Sequence, residues 1–168
     1  MADGTIITSV TDALAICSKI MESANNEVVY ISPPSLLVLG SQFSLRENAK
    51  TLIQKGCCVR SIADFSYPYI EEMRELLEIG EGVRHVPHYQ GIFMLVGDRK
   101  ESISSVSIDL KSLSVDTPVV ALWSDNPTYA EYLMSTFELL WEQAVPAAQR
   151  IEELLKEGPP NIRGYIDG

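Results

Sequence analysis

The stretch VRHVPHYQGIFMLVGDRKESISSVSI, Val83 to Ile108, decides the architecture. Three β runs lie in and around it: Gly82 to Pro87, Gly91 to Gly97 and Ser102 to Ile108. Val, Ile, Phe, Met and Leu fill them, with turn residues between. Gly97-Asp98 followed by Arg99-Lys100 has the chemistry of a tight hairpin, which makes the last two runs antiparallel neighbours.

Upstream, helix and strand alternate. From Thr11 to Ala24, Leu14, Cys17, Met21 and Ala24 recur at helical spacing behind a cap at Thr11 or Asp12. Glu27 to Ser32 reads as a buried strand that Pro33-Pro34 ends. Ser35 to Phe43 fits neither period, although Leu36 to Leu39 must be largely buried. Ser44 to Lys55 is a helix with Ala49, Leu52 and Ile53 inward and Gly56 as its stop. Cys57 to Ala63 is a second strand. Pro68 opens a helix whose apolar stripe is Ile70, Met73 and Leu77, and the acidic residues from Glu71-Glu72 to Glu81 form its solvated face.

Downstream, Pro118 to Trp123 is an apolar strand. Asn126 then caps a long C-terminal helix that has Pro127 as its first residue. That helix buries Tyr129, Leu133, Phe137, Leu140 and Trp141. Pro146 kinks or restarts it, and Gly158-Pro159-Pro160 stops it after Lys156. Early βαβ units require parallel strands and the later hairpins add antiparallel ones. The fold class is therefore α/β, a mixed sheet flanked by helices in a single domain. The expected boundaries are an N-terminal extension over 1–10, the domain over 11–157 and a tail over 158–168.

The chain has 168 residues, 46 % of them hydrophobic, with 13 Lys and Arg against 23 Asp and Glu for a net charge of −10. A chain of that size can bury about 70 % of its unfolded surface, so a core needs no disulfides. The negative charge and the scattering of the basic residues argue against direct contact with nucleic acid. Cys17, Cys57 and Cys58 are an odd set with two neighbours in sequence, which fits a reducing compartment. With no apolar run of membrane-spanning length and no basic start at Met1-Ala2-Asp3-Gly4, a cytoplasmic protein that does not enter a membrane is expected.

Chemistry-bearing motifs are sparse. His85 and His88 are the only histidines. They flank Val86-Pro87 with no Cys or carboxylate spaced to complete a metal site, so a hydrogen-bonded loop pair is expected. Cys57 and Cys58 face opposite ways if they share a strand, which disfavours a redox pair. Phosphate-binding loops and the Gly-x-Ser-x-Gly serine motif are absent. No cofactor or metal is expected. Trp123 and Trp141 are read as core.

Val83 to Ile108 resembles the core of the phospholipase D superfamily. Its motif runs His-x-Lys, four residues, Asp, six residues, then Gly-Gly or Gly-Ser. Aligned on the apolar run, the His position falls on Gln90, the Lys on Ile92, the Asp on Gly97 and the closing pair on Ser104-Ser105. The spacing is kept while the catalytic letters are replaced. Glutamine has no titrating nitrogen, isoleucine no charge and glycine no carboxylate. His88 and Asp98 lie close by, each out of register. Ala24 to Ser32, the helix ending in Gly56, Val59, Val83-Arg84-His85, Ala121 to Pro127 and Phe137 to Trp141 are also similar to the sensor part of TrmB-type regulators. In that family a degenerate phospholipase D-like domain senses a small molecule behind a DNA-binding winged helix. The resemblance covers roughly Thr11 to Leu155 and lacks the winged helix.

What the resemblance implies is a phospholipase D-like sensor that is not an enzyme, a cleft at the strand ends and a homodimer about a two-fold axis. The groups expected in that cleft are Ser32, Asp64, His88, Tyr89, Gln90, Ser104, Ser105, Ser124 and Asp125. Neutral hydrogen-bonding side chains with aromatic walls suit a sugar, polyol or other uncharged polar ligand better than a phosphate. Tyr89-Gln90 occupies the former catalytic position. Two other readings stay open. One is a protein-interaction module derived from a sensor, with an acidic helical face. The other is a divergent phosphodiesterase that uses His88 or Asp98.

Overall fold

The computed structural model describes residues 3–87, 93–105 and 114–160. Strand β1 (Gly4–Ser9) leads into helix α1 (Val10–Ser23), then β2 (Glu27–Ile31) and the short helix α2 (Pro34–Gly40). A 3-10 turn over Ser41–Phe43 precedes α3 (Leu45–Gln54) and β3 (Cys58–Ala63). A second one over Tyr67–Tyr69 opens α4 (Ile70–Glu78). There follow β4 (Gly82–His85), β5 (Phe93–Gly97), β6 (Glu101–Ser105), β7 (Pro118–Ser124), α5 (Pro127–Gln143), β8 (Val145–Pro146) and α6 (Ala147–Glu157).

All eight strands form one sheet in the order β1-β7-β6-β5-β2-β3-β4-β8. Strands β2, β3 and β4 are parallel, while the pairs β2–β5, β5–β6, β6–β7, β7–β1 and β4–β8 are antiparallel. The single mixed sheet flanked by helices is the α/β class that the sequence implies.

Several local details differ from the sequence reading. Gly4–Ser9, placed in an extension, forms edge strand β1 against β7. The cap of α1 is Ser9, whose hydroxyl accepts the Asp12 N–H at 3.0 Å, because the helix starts one residue before Thr11. Residues 35–43 form α2 and the 3-10 turn. In α4 it is Leu76 rather than Leu77 that is fully buried. The long C-terminal helix is two helices. The chain leaves the helical path at Ala144, pairs Val145 and Pro146 with His85 and Arg84, and restarts at Ala147.

The helices are divided unequally between the two faces. One face carries α1, α2, α3, α4 and α6. There Leu14, Cys17 and Leu52 meet Val28, Leu95 and Ile103, while Met73 and Ile151 meet Ala63 and Val83. Among the described residues the other face carries only α5, which packs Ala130, Met134 and Phe137 on Val29, Ile31, Ile62 and Met94. Each large apolar side chain so buried stabilises by about 1.5–3 kcal/mol. Because α5 covers the middle strands, β7 and β1 stay open on its side, with Ile6 60 % and Val120 49 % exposed.

Candidate functional site

The strand directions sort the expected site residues into separate places. Ser32 and Asp64 follow the carboxyl ends of β2 and β3. Phe93 opens β5 at that end, since Ile31 pairs with Met94, and Ser105 pairs with Phe93. Ser32, Asp64 and Ser105 therefore share one end of the sheet. Ser124 pairs with Ser102 and Gly4, next to the β5–β6 turn, so Ser124 and Asp125 lie at the opposite end. The expected cluster of these groups around one strand-end cleft does not form. His88, Tyr89 and Gln90 lie outside the described residues.

The strand-end groups satisfy one another locally. Ser32 Oγ donates to the carbonyl of Pro33 at 3.1 Å, and Ser105 Oγ to that of Val120 at 3.2 Å. His85, expected in a loop, is a buried residue of β4. Its Nδ1 accepts the Phe65 N–H at 3.3 Å and lies 3.9 Å from Asp64 Oδ1. Burial and then Arg150 push its pKa down, so the ring is a neutral acceptor that fixes the β3–α4 connection. Among the described residues no group of three His, Cys, Asp or Glu could hold a metal ion.

Ser104 faces α5, and its Oγ is 2.8 Å from the hydroxyl of Tyr129. Tyr129 and Tyr132 stack, with ring centroids 6.3 Å apart and an interplanar angle of 21°. The two rings wall a cleft of ≈ 480 Å³ between the start of α5 and strands β7 and β1, completed by Asp3, Leu122, Ser124, Asn126 and Thr128. Helix geometry sets this arrangement. Asn126 Oδ1 accepts the N–H groups of Thr128 and Tyr129, which fixes the first turn and the direction of both tyrosines. Ser124 Oγ accepts the Asn126 N–H at 3.1 Å and holds the strand-to-helix corner. With its cap filled, the helix end has little to offer an anion, and among the described residues no Arg or Lys lines the cleft. The lining is made of hydroxyls, one amide, one carboxylate and an aromatic wall, which suits a neutral ligand rich in hydroxyls. Of the residues expected from sequence, Ser124 lines this cleft and Ser104 reaches it through Tyr129.

Tyr129 reads as core from its helical spacing, and nothing in the local sequence marks Tyr132. Tyr132 is 66 % exposed. A second omission is Glu81. It was placed on a solvated face and is in fact 3 % exposed beneath the helices. Its Oε2 accepts hydrogen bonds from the hydroxyls of Tyr30 at 2.7 Å and Ser61 at 2.8 Å, while Oε1 has no partner. Burial pushes the Glu81 pKa up to about 7, against the pull of those bonds and of Arg46.

No protein-family profile matches the chain, and no curated protein sequence does. Solved structures do. TrmBL2, an archaeal chromatin protein described as showing a novel mode of DNA binding, superposes with a TM-score of 0.68 at 14 % identity over 87 % of this chain. The chain spans 55 % of that protein's length. Nuc, a phospholipase D family member from Salmonella typhimurium, gives a TM-score of 0.64 at 11 % identity, over 85 % of this chain and 97 % of Nuc. NucT from Helicobacter pylori gives 0.61 at 15 % identity, over 85 % of this chain and 98 % of NucT. The fold is thus phospholipase D-like, in a single domain, and it is shared with a chromatin protein as well as with phospholipase D family members. Among the described residues no helix is long and apolar enough to cross a membrane.

Proposed function

We propose that this chain is a regulatory input domain that binds a small polyhydroxylated molecule, a sugar or polyol, and does not act as an enzyme. The observation that carries the reading is the cleft beside Tyr129 and Tyr132, walled by stacked rings and hydroxyls and, among the described residues, free of Arg and Lys on its lining. Stacking on an aromatic wall and hydrogen bonding to hydroxyls are the interactions a neutral sugar offers. The likeness to TrmBL2 is compatible with a regulatory role. A net charge of −10 argues that any nucleic-acid contact belongs to another protein or segment. The output is proposed to run through a cytoplasmic homodimer.

Calorimetric titration of the chain with maltose, glucose and mannitol tests the reading. Binding of one of them, weakened tenfold or more in both Tyr132→Ala and Tyr129→Phe, is expected. Heats indistinguishable from dilution for all three would remove the reading.

The fold shared with phospholipase D family members favours one other reading, a divergent phosphodiesterase. Asp98 is spoken for, because its carboxylate accepts the backbone N–H groups of Asn25, Asn26 and Glu27. That reading would therefore fall on His88. It predicts hydrolysis of bis(p-nitrophenyl) phosphate that disappears in His88→Ala.

A further inference from the structure

On the opposite face from the tyrosine cleft, a pocket opens between α1, α2 and α3 with room for ≈ 50 Å³. Leu14 and Cys17 of α1, Leu36 of α2, Ala49 of α3 and Leu95 of β5 wall it, and all five are buried. Burial pushes the Cys17 thiol up to about 12, so it is a neutral wall and no nucleophile. Close-packed interiors hold few voids of this size, and one lined by apolar groups stays dry until an apolar group fills it.

Three polar residues reach the lining: Tyr30, Ser32 and Arg46. The Tyr30 hydroxyl is committed to Glu81, and that of Ser32 to the Pro33 carbonyl. Arg46, on α3, instead pairs with Glu75, whose side chain on α4 is 49 % exposed. A half-exposed pair of this kind contributes little and exchanges its anion readily. The guanidinium fork fits an incoming carboxylate in the same way.

We propose that this pocket binds a short aliphatic carboxylate, its tail among Leu14, Cys17, Leu36 and Leu95 and its carboxylate on Arg46 in place of Glu75. A space of about 10–15 Å³ in this measure holds one water, so ≈ 50 Å³ takes a tail of about three carbons. The cover is α2, which is held between Pro33 and the left-handed residue Ser44, at φ 64°. This site lies on the other face from the tyrosine cleft and stands whether or not a polyol binds there.

The test is thermal unfolding in sodium n-butyrate, against sodium chloride at equal ionic strength. At ten times its dissociation constant, butyrate should raise the midpoint by about 3–6 °C. The shift should vanish in Arg46→Gln, which removes the charge from a partly exposed side chain, and in Ala49→Val, which fills the void. It should persist in Tyr132→Ala. No shift at tens of millimolar butyrate overturns the proposal, and so does a shift that survives in both Arg46→Gln and Ala49→Val.

Discussion

A Cβ on Gly97 would sit 2.7 Å from Cγ2 of Ile20. Helix α1 packs so closely on the end of β5 that this position has no room for a side chain. Gly97→Ala should cost about 1–3 kcal/mol through overpacking. Gly97→Asp should cost more, because it adds a carboxylate under the same helix. Combining Gly97→Ala with Ile20→Ala should be less damaging than the sum of the two, since the pair share one contact. Urea unfolding of the four proteins measures the coupling.

The neighbouring carboxylate has a different task. Asp98 stands at φ 52° and Arg99 at φ 57° in the turn between β5 and β6, the left-handed pair a tight hairpin needs. From there Asp98 accepts three backbone N–H groups at 2.8, 2.8 and 3.0 Å, tying the hairpin to the α1–β2 connection. Burial pushes its pKa up, but the amides of Glu27, Asn25 and Asn26 outweigh this and leave it lowered. A depressed carboxylate contributes stability that is present above its unfolded pKa and is lost as pH falls through the folded value. Asp98→Ala should therefore destabilise by about 1–3 kcal/mol at pH 7 and by much less in acid. Chemical unfolding at pH 7 and near pH 2.5 tells these apart, and Asp98→Asn should keep part of the effect.

Glu81 has the opposite sign. Its folded pKa of about 7 lies above the ordinary 4.5, so its contribution is fully present below pH 4.5 and is lost as pH rises through 7. At roughly 1.4 kcal/mol per unit, the loss is on the order of 3 kcal/mol. Glu81→Gln should be less stable than the parent at pH 4.5, because the amide that replaces the unpartnered Oε1 finds no acceptor. Between pH 4.5 and 8 it should also lack the decline. The comparison of slopes is the diagnostic, since a purely structural effect would shift both curves in parallel.

Phe137 anchors α5 on its face of the sheet. It is fully buried, stacks on Trp141 at 5.6 Å and lies under the guanidinium of Arg60 at 5.1 Å. Arg84 covers Trp141 at 4.2 Å, and Arg60 pairs with Glu138 at 2.7 Å. Phe137→Ala should cost about 3–5 kcal/mol. Arg60→Ala should cost about 1 kcal/mol or less, because its ion pair is partly solvated. Thermal melts in low and high salt should show salt dependence for the second effect and none for the first.

Much of the scaffold was legible because it rests on short-range signals. Asn126-Pro127 announced α5, Gly56 and Gly158 the stops of α3 and α6, and Gly97-Asp98 the hairpin. What escaped depends on neighbours distant in sequence. Gly4–Ser9 has too few apolar residues to declare itself a strand and becomes one only because β7 offers an edge. Glu81 reads as one more acid of an exposed helix until Tyr30 and Ser61, 51 and 20 residues away, close on it. The grouping of Ser124 with Ser32 failed for a topological reason. Both follow strands, but β7 runs antiparallel to β2, and a list of strand ends does not say which end. Tyr129 and Tyr132 depend on how α5 sits over the sheet and leaves Tyr132 exposed, which no local pattern encodes.

The two borders of the sheet are unlike in a way that bears on self-association. At one border β8 is two residues long and ends in Pro146, which has no N–H to offer an incoming strand. At the other, β1 is six residues long, with Ile6 outward on its open side and an irregular register between Ile7 and Ser9. Growth of the sheet by a further strand is thus blocked along β8 and templated along β1. Trimming the first nine residues would not leave a smaller version of the same molecule: it would move the templating border inward to β7, whose Pro118–Ser124 run is longer and more apolar.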